Sequence, residues 1–213
     1  MVGQGVLREC LLDPDVETVV TLGRRPTGQQ HAKLAEITHP DLMDLSSIEP
    51  RLSGFDACFF CLGVSSVGMS EENYRRLTYD LTLSIARTLV RLNAQMTFVY
   101  VTGFGTDSTE KGSSAWARVK GKTENDLLPL PFKAAYMFRP FYIQPLNGIQ
   151  TKTWWYGAVY KVLGGLYPLW KVLAPNYVTT TECIGRAMLK VAKQGAPKRV
   201  LESRDISALC STS

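Results

Sequence analysis

Glu17-Thr18-Val19-Val20-Thr21-Leu22, closed by Gly23-Arg24-Arg25-Pro26, is the stretch that decides the fold. A short run rich in β-branched residues, stopped by glycine and proline, predicts a strand. It follows a helical pattern, Gly3 to Leu12, that is already under way at residue 1. The same alternation repeats outward from this pair. Strands are predicted near Glu36-Ile37-Thr38, at Asp56 to Leu62, Met96 to Val101, Ala134 to Phe138 and Arg199 to Glu202. Between them Ser70-Glu71-Glu72 opens a helix with Leu77, Leu81, Ile85 and Leu89 recurring on one face, and further helices run from about Ser113 to Leu127 and from Thr181 to Lys193. Ser70 is placed to cap free amides, and the two glutamates suit the positive helix end. Strands alternating with helices predict an α/β fold, a doubly wound parallel sheet with helices on both faces.

The chain has 213 residues, 45% apolar and 20% charged, which fits one domain over 1–213 and excludes disordered, collagen-like and coiled-coil classes. Its net charge of +5 is unevenly spread. Residues 1–110 carry 9 basic and 14 acidic side chains, whereas residues 111–200 carry 14 and 3. The basic excess faces an anionic partner, whether phosphate, anionic lipid or nucleic acid. Five scattered cysteines with no secretory leader do not make a disulfide framework, so a reducing, cytoplasmic setting is expected. Cys58 and Cys61 form a CxxC inside a strand, where residues three apart point to opposite faces. They are read as buried structural thiols, and no metal site is expected. The longest apolar stretch, Trp154 to Ala174, is broken by Lys161, Gly164-Gly165, Pro168 and Lys171, so it is not read as a membrane span.

Gly3 in Met1-Val2-Gly3-Gln4-Gly5-Val6-Leu7, followed after about 20 residues by a strand ending Gly23-Arg24-Arg25, resembles the dinucleotide-binding region of the short-chain dehydrogenase/reductases. Gly3 matches the third glycine of their GxxGxxG motif. The first strand and first two glycines would lie upstream of Met1, so the chain reads as N-terminally truncated, with two neighbouring strands left without a shared partner. The resemblance implies a Rossmann-like sheet and further roles. Arg24 and Arg25 stand where an NAD enzyme has an acid for the ribose hydroxyls, which implies NADP rather than NAD. Asp41-Leu42 corresponds to the pair beside the adenine, and Leu62-Gly63 to the loop under the cofactor ribose.

Trp116-Ala117-Arg118-Val119-Lys120 falls where that superfamily has YxxxK on a helix, the two functional side chains four apart and on one face. Lys120 matches the lysine that holds the cofactor ribose. Trp116 replaces the tyrosine, and an indole N–H cannot act as a general acid in the usable pH range. Thr102 stands near the place of the Ser/Thr that orients substrate, with Ser108 within reach. Tyr136 and Tyr142 are candidates for a displaced phenol. With these departures the chain is most similar to the atypical members, the NmrA-like and Tat-interacting-protein-like groups and the bacterial epimerase/dehydratase type.

Residues 132–177 hold 12 of the 21 aromatic residues, and 140–180 are expected to form a lid over the carboxyl edge of the sheet. Lys152 and Lys161 fall about 180° apart at 100° per residue. That disfavours an interfacial helix at 150–175, although contact with an anionic membrane or a protein partner stays open. No nucleic-acid motif is present. The expected function is an NADP-dependent oxidoreductase or epimerase acting on a small carbonyl or hydroxyl substrate. The alternative is a non-catalytic, NADP-dependent sensor or binding module.

Overall fold

The computed structural model describes residues 1–149 and 178–211. Helix α1 (Val2–Leu12) leads into β1 (Val19–Gly23) and β2 (Leu34–Thr38), which pair in parallel with Val19 opposite Leu34. A 3-10 turn (Ser46–Arg51) precedes β3 (Ala57–Phe60). Helices α2 (Glu71–Arg75) and α3 (Leu81–Leu92) flank a π turn (Arg76–Asp80) and lead to β4 (Thr97–Val101). Helix α4 (Ala115–Leu127) then returns to β5 (Ala134–Arg139) and the short β6 (Tyr142–Gln144). After the stretch 150–177 come β7 (Val178–Thr180), α5 (Thr181–Gln194), β8 (Val200–Glu202) and α6 (Ser203–Ser211).

Every strand pairing among the described residues is parallel. The main sheet has the order β3-β4-β5-β8, β1 pairs with β2, and β6 with β7. β1 and β3 are not hydrogen-bonded to each other. Helix α1 nevertheless packs against both of those strands.

Two apolar layers cover the two faces. On one, Phe98, Met137, Leu127 and Ile85 pack with Phe132, whose ring stacks on Phe98 at 5.0 Å. On the other, Val6, Cys10, Phe138, Ile184 and Met188 join α1 and α5 to the sheet. Period-two alternation divides the strands between the layers. Cys58 faces the first layer and Cys61 the second, so the CxxC pair is split across the sheet as its spacing predicts. Burial pushes both thiols up to about 12.

Ser70 caps α2 through its hydroxyl, which accepts from the Asn73 amide at 3.3 Å. The single apolar face drawn through Leu77, Leu81, Ile85 and Leu89 does not survive. Leu77 is exposed while Ile85 and Leu89 are buried. The π turn at 76–80 widens the helix by one residue and rotates Leu77 off the face that α3 buries. Helix α6 was not expected from the sequence. The lid expected at 140–180 falls largely outside the described residues.

Candidate active site at the carboxyl edge of the sheet

Thr102 follows the last residue of β4, and α4 crosses the loop beyond it. Gly121 permits this crossing: a Cβ there would stand 1.7 Å from the Asp107 carbonyl oxygen. The Asp107 amide in turn donates to the Ala117 carbonyl at 3.1 Å. The contact brings Lys120 against the strand end, where Nζ donates to the Thr102 carbonyl oxygen at 2.7 Å. Burial lowers the Lys120 ammonium to about 8, against an opposing pull from Glu124.

Thr102 also binds with its side chain. Its hydroxyl donates to Glu124 Oε1 at 2.6 Å and lies 3.2 Å from the Phe138 carbonyl oxygen. Glu124, 1% exposed, receives the Arg139 guanidinium on both carboxylate oxygens, with Nε at 3.0 and 3.1 Å. Arg139 also reaches the Ser108 hydroxyl at 2.5 Å and Glu202 at 3.4 Å. Lys120, Thr102 and Ser108 therefore meet around a buried Glu124–Arg139 pair that the sequence reading did not single out. The available signal was Glu124 four residues after Lys120, on the same face of α4.

Trp116 stands one turn before Lys120, its ring beside Gly105, whose Cβ would come to 3.5 Å of the indole. The two tyrosines considered as displaced phenols are engaged elsewhere. The Tyr136 hydroxyl accepts from the Ala196 amide at 3.1 Å, and its ring packs in the α1/α5 layer, across the sheet from α4. The Tyr142 hydroxyl donates to Gln144 at 2.9 Å.

The other candidates lie at carboxyl ends of the remaining strands. Arg24 and Arg25 follow β1, are exposed, and form no hydrogen bond or ion pair with another described residue. After β2, Leu42 is buried, whereas the Asp41 carboxylate accepts from the Met43 amide at 2.8 Å. Leu62 and Gly63 are exposed after β3. Gly3, in the first turn of α1, lies against Cys61; a Cβ there would come to 3.3 Å of the cysteine Cβ. Leu62, Val67, Phe104 and Phe141 give this edge an exposed apolar rim, with Phe104 and Phe141 edge to face at 5.0 Å. Ligands of open α/β sheets bind in the crevice outside the carboxyl ends of the strands.

Two surface clefts are lined by neither Lys120 nor Thr102. One, of about 180 Å³, is lined by Glu71, Arg75, Tyr79 and Lys122; the other, of about 410 Å³, by Glu9, Asp13, Arg186 and Lys193. Among the described residues no cluster of three or more His, Cys, Asp or Glu is arranged to hold a metal, and no helix is long and apolar enough to cross a membrane.

No family model matches the chain. It is 30% identical over 149 residues to the mitochondrial protein fmp52 of Emericella nidulans, covering 66% of this chain and 61% of that protein. It is 25% identical over 142 residues to the mitochondrial FMP52 of Debaryomyces hansenii, with the same coverage. The chain thus spans about 61% of the length of these relatives. Their names overturn the cytoplasmic expectation, which rested on cysteine usage and an absent leader.

Among solved structures, a short-chain dehydrogenase/reductase from Saccharomyces cerevisiae superposes with a TM-score of 0.63 at 14% identity, over 99% of this chain and 94% of that one. A UDP-glucose 4-epimerase gives a TM-score of 0.69 at 14% identity, over 97% and 77%. WbmF of Bordetella bronchiseptica, solved with NAD+, gives 0.63 at 13% identity, over 99% and 73%. Together with the parallel strand pairings and the helices on the two faces, these likenesses show that the chain carries the Rossmann-like α/β fold of the short-chain dehydrogenase/reductases.

Proposed function

We propose that this chain is an NADP-binding oxidoreductase or epimerase acting on a small carbonyl or hydroxyl substrate, and that it works in mitochondria, as the names of its fungal relatives imply. The observation that carries the reading is the Lys120 ammonium held against the residue after β4, at the same carboxyl side of the strands that Arg24-Arg25 and Leu62-Gly63 follow. The residues present fit the cofactor: two guanidiniums without partners among the described residues for a 2′-phosphate, and a glycine where α1 meets Cys61. Arg24 and Arg25 would hold the phosphate, Asp41-Leu42 would flank the adenine, Gly3 would leave room for the backbone to approach, the Leu62-Gly63 loop would pass under the ribose, and Lys120 would hold it. Bound NADP supplies hydride chemistry.

The chain's own part in that chemistry is the proton. Trp116 cannot give one. Lys120, lowered to about 8, is the group beside Thr102 whose proton is exchangeable near neutral pH. The Thr102 hydroxyl is already committed to Glu124, so Thr102 acts by presenting its carbonyl to Lys120 and fixing the ammonium. In this reading Lys120 both orients and protonates.

Trp116 favours a second reading, in which the chain binds NADP without turnover and the nucleotide sets its affinity for a protein or an anionic membrane surface, the latter through 150–175. Screening the wild type and Trp116→Tyr with NADPH against a panel of small aldehydes and ketones separates the two. Turnover by the wild type supports the enzyme. Turnover by Trp116→Tyr alone, with wild-type nucleotide binding intact, overturns catalysis and leaves the binding module.

A further inference from the structure

Thr102 is held at three points. Its amide donates to the Phe138 carbonyl at 2.8 Å, its hydroxyl donates to Glu124 Oε1 at 2.6 Å, and its carbonyl accepts from Lys120 Nζ at 2.7 Å. Two of the three contacts come from one helix. Lys120 and Glu124 stand four residues apart on the same face of α4, so the helix grips a single residue by its carbonyl and by its side chain. Threonine suits that grip, because its β-branched side chain is stiff at χ1 and a fixed hydroxyl fixes the residue.

The Glu124 carboxylate is buried, and an ionised carboxylate taken out of water needs a countercharge. Arg139, the last residue of β5, supplies it: Nε lies 3.0 and 3.1 Å from the two oxygens, and a terminal nitrogen donates to Oε2 as well. The guanidinium is itself pinned, by Glu202 at the end of β8 at 3.4 Å and by the Ser108 hydroxyl at 2.5 Å. A continuous chain of contacts therefore runs from the ends of β5 and β8 through Arg139 and Glu124 to Thr102, and stops at the Lys120 ammonium. Stability alone does not call for such a pair, since well-packed apolar residues in its place are often neutral or stabilising.

We propose that Glu124 and Arg139 are positioning residues: the carboxylate, oriented by the guanidinium, locks the Thr102 side chain and so holds steady the carbonyl on which the Lys120 ammonium rests. This role rests on the reading of Lys120 as the group that holds the nucleotide ribose. Glu124 and Arg139 act on the nucleotide only through Thr102 and Lys120. Without the lock the Thr102 carbonyl is free to turn, and the flexible lysine side chain regains rotamer freedom that nucleotide binding must then remove. The loss falls on NADPH and NADH alike, because the ribose contact is common to both and the 2′-phosphate belongs to Arg24 and Arg25.

The test makes stability and positioning come apart. The double variant Glu124→Leu, Arg139→Met should keep most of the wild-type stability in urea, yet titration with NADPH and with NADH at about pH 6.5 should show each bound about tenfold more weakly. Adding Thr102→Val to that variant should weaken neither further, because the hydroxyl it removes has already lost its acceptor. In the wild-type background Thr102→Val should lose the same tenfold, whereas Thr102→Ser, which keeps the hydroxyl, should bind as the wild type does. Nitrogen-15 NMR of the Lys120 ammonium, assigned by its absence from Lys120→Met, reads the positioning with no nucleotide present. Its signal should exchange slowly in the wild type and Thr102→Ser, and broaden in Thr102→Val and in the double variant. A double variant with wild-type affinity and an unchanged ammonium signal overturns the proposal, and so does a Thr102→Val loss that multiplies with that of the double variant. If the wild type binds neither nucleotide, the nucleotide reading fails and the ammonium signal alone decides: broadening in both variants supports the positioning role, and an unchanged signal overturns it.

Discussion

Lys120 Nζ rests 2.7 Å from the carbonyl oxygen of Thr102, the residue that follows β4, and this bond is one of those that join helix α4 to the carboxyl edge of the sheet. Because the ammonium is desolvated there, its charge is held at an energetic cost that depends on pH.

Lys120 is lowered from its ordinary value of 10.5 to about 8, so between those limits the unfolded chain binds more protons than the folded one. Wild-type stability therefore gains as pH rises from about 8 toward 10.5, relative to Lys120→Met, which has no such group. Urea unfolding of both proteins at pH 7, 8.5 and 10 should show the difference moving in the wild type's favour. A difference that stays constant with pH would mean that Lys120 titrates as an ordinary surface lysine.

Arg139 and Glu124 form a pair whose side chains are 11% and 1% exposed. Arg139→Met leaves the Glu124 carboxylate buried without its countercharge and should cost about 3–5 kcal/mol of unfolding free energy. Adding Glu124→Leu to that variant should recover most of the loss, because the carboxylate left without its Arg139 countercharge is then gone. Chemical denaturation of the two variants measures both effects. Equal losses in the single and double variants would show that packing, rather than charge, sets the value of this pair.

Gly121→Ala puts a Cβ 1.7 Å from the Asp107 carbonyl oxygen and 2.4 Å from its carbon, so either α4 or the loop after β4 must move. Overpacking of this kind costs about 3 kcal/mol. Thermal unfolding should register that loss, and nucleotide affinity should fall with it, since the displaced helix carries Lys120. Unchanged stability would mean that the α4 crossing is looser than described.

Much of this was legible in the sequence. The strand and helix periods of Val19 to Gly23, Phe98 to Val101 and Thr181 to Gln194 are strong local signals, and spacing and resemblance single out Lys120 and Thr102, which the fold brings into contact. Leu77 was misplaced because a π turn leaves no mark in a pattern that assumes 3.6 residues per turn. Glu124 and Arg139 were missed because charged residues in a helix and at a strand end look solvent-facing until the packing of α4 on β5 encloses them.

Equilibrium titration with NADPH and NADH, followed by nucleotide fluorescence, tests the central claim most directly. NADPH should bind below the millimolar range and NADH about tenfold more weakly, the margin expected of a charge-assisted contact to the 2′-phosphate. The double variant Arg24→Ala, Arg25→Ala should erase that preference while leaving NADH binding unchanged. Failure of both nucleotides to bind below the millimolar range would contradict the account.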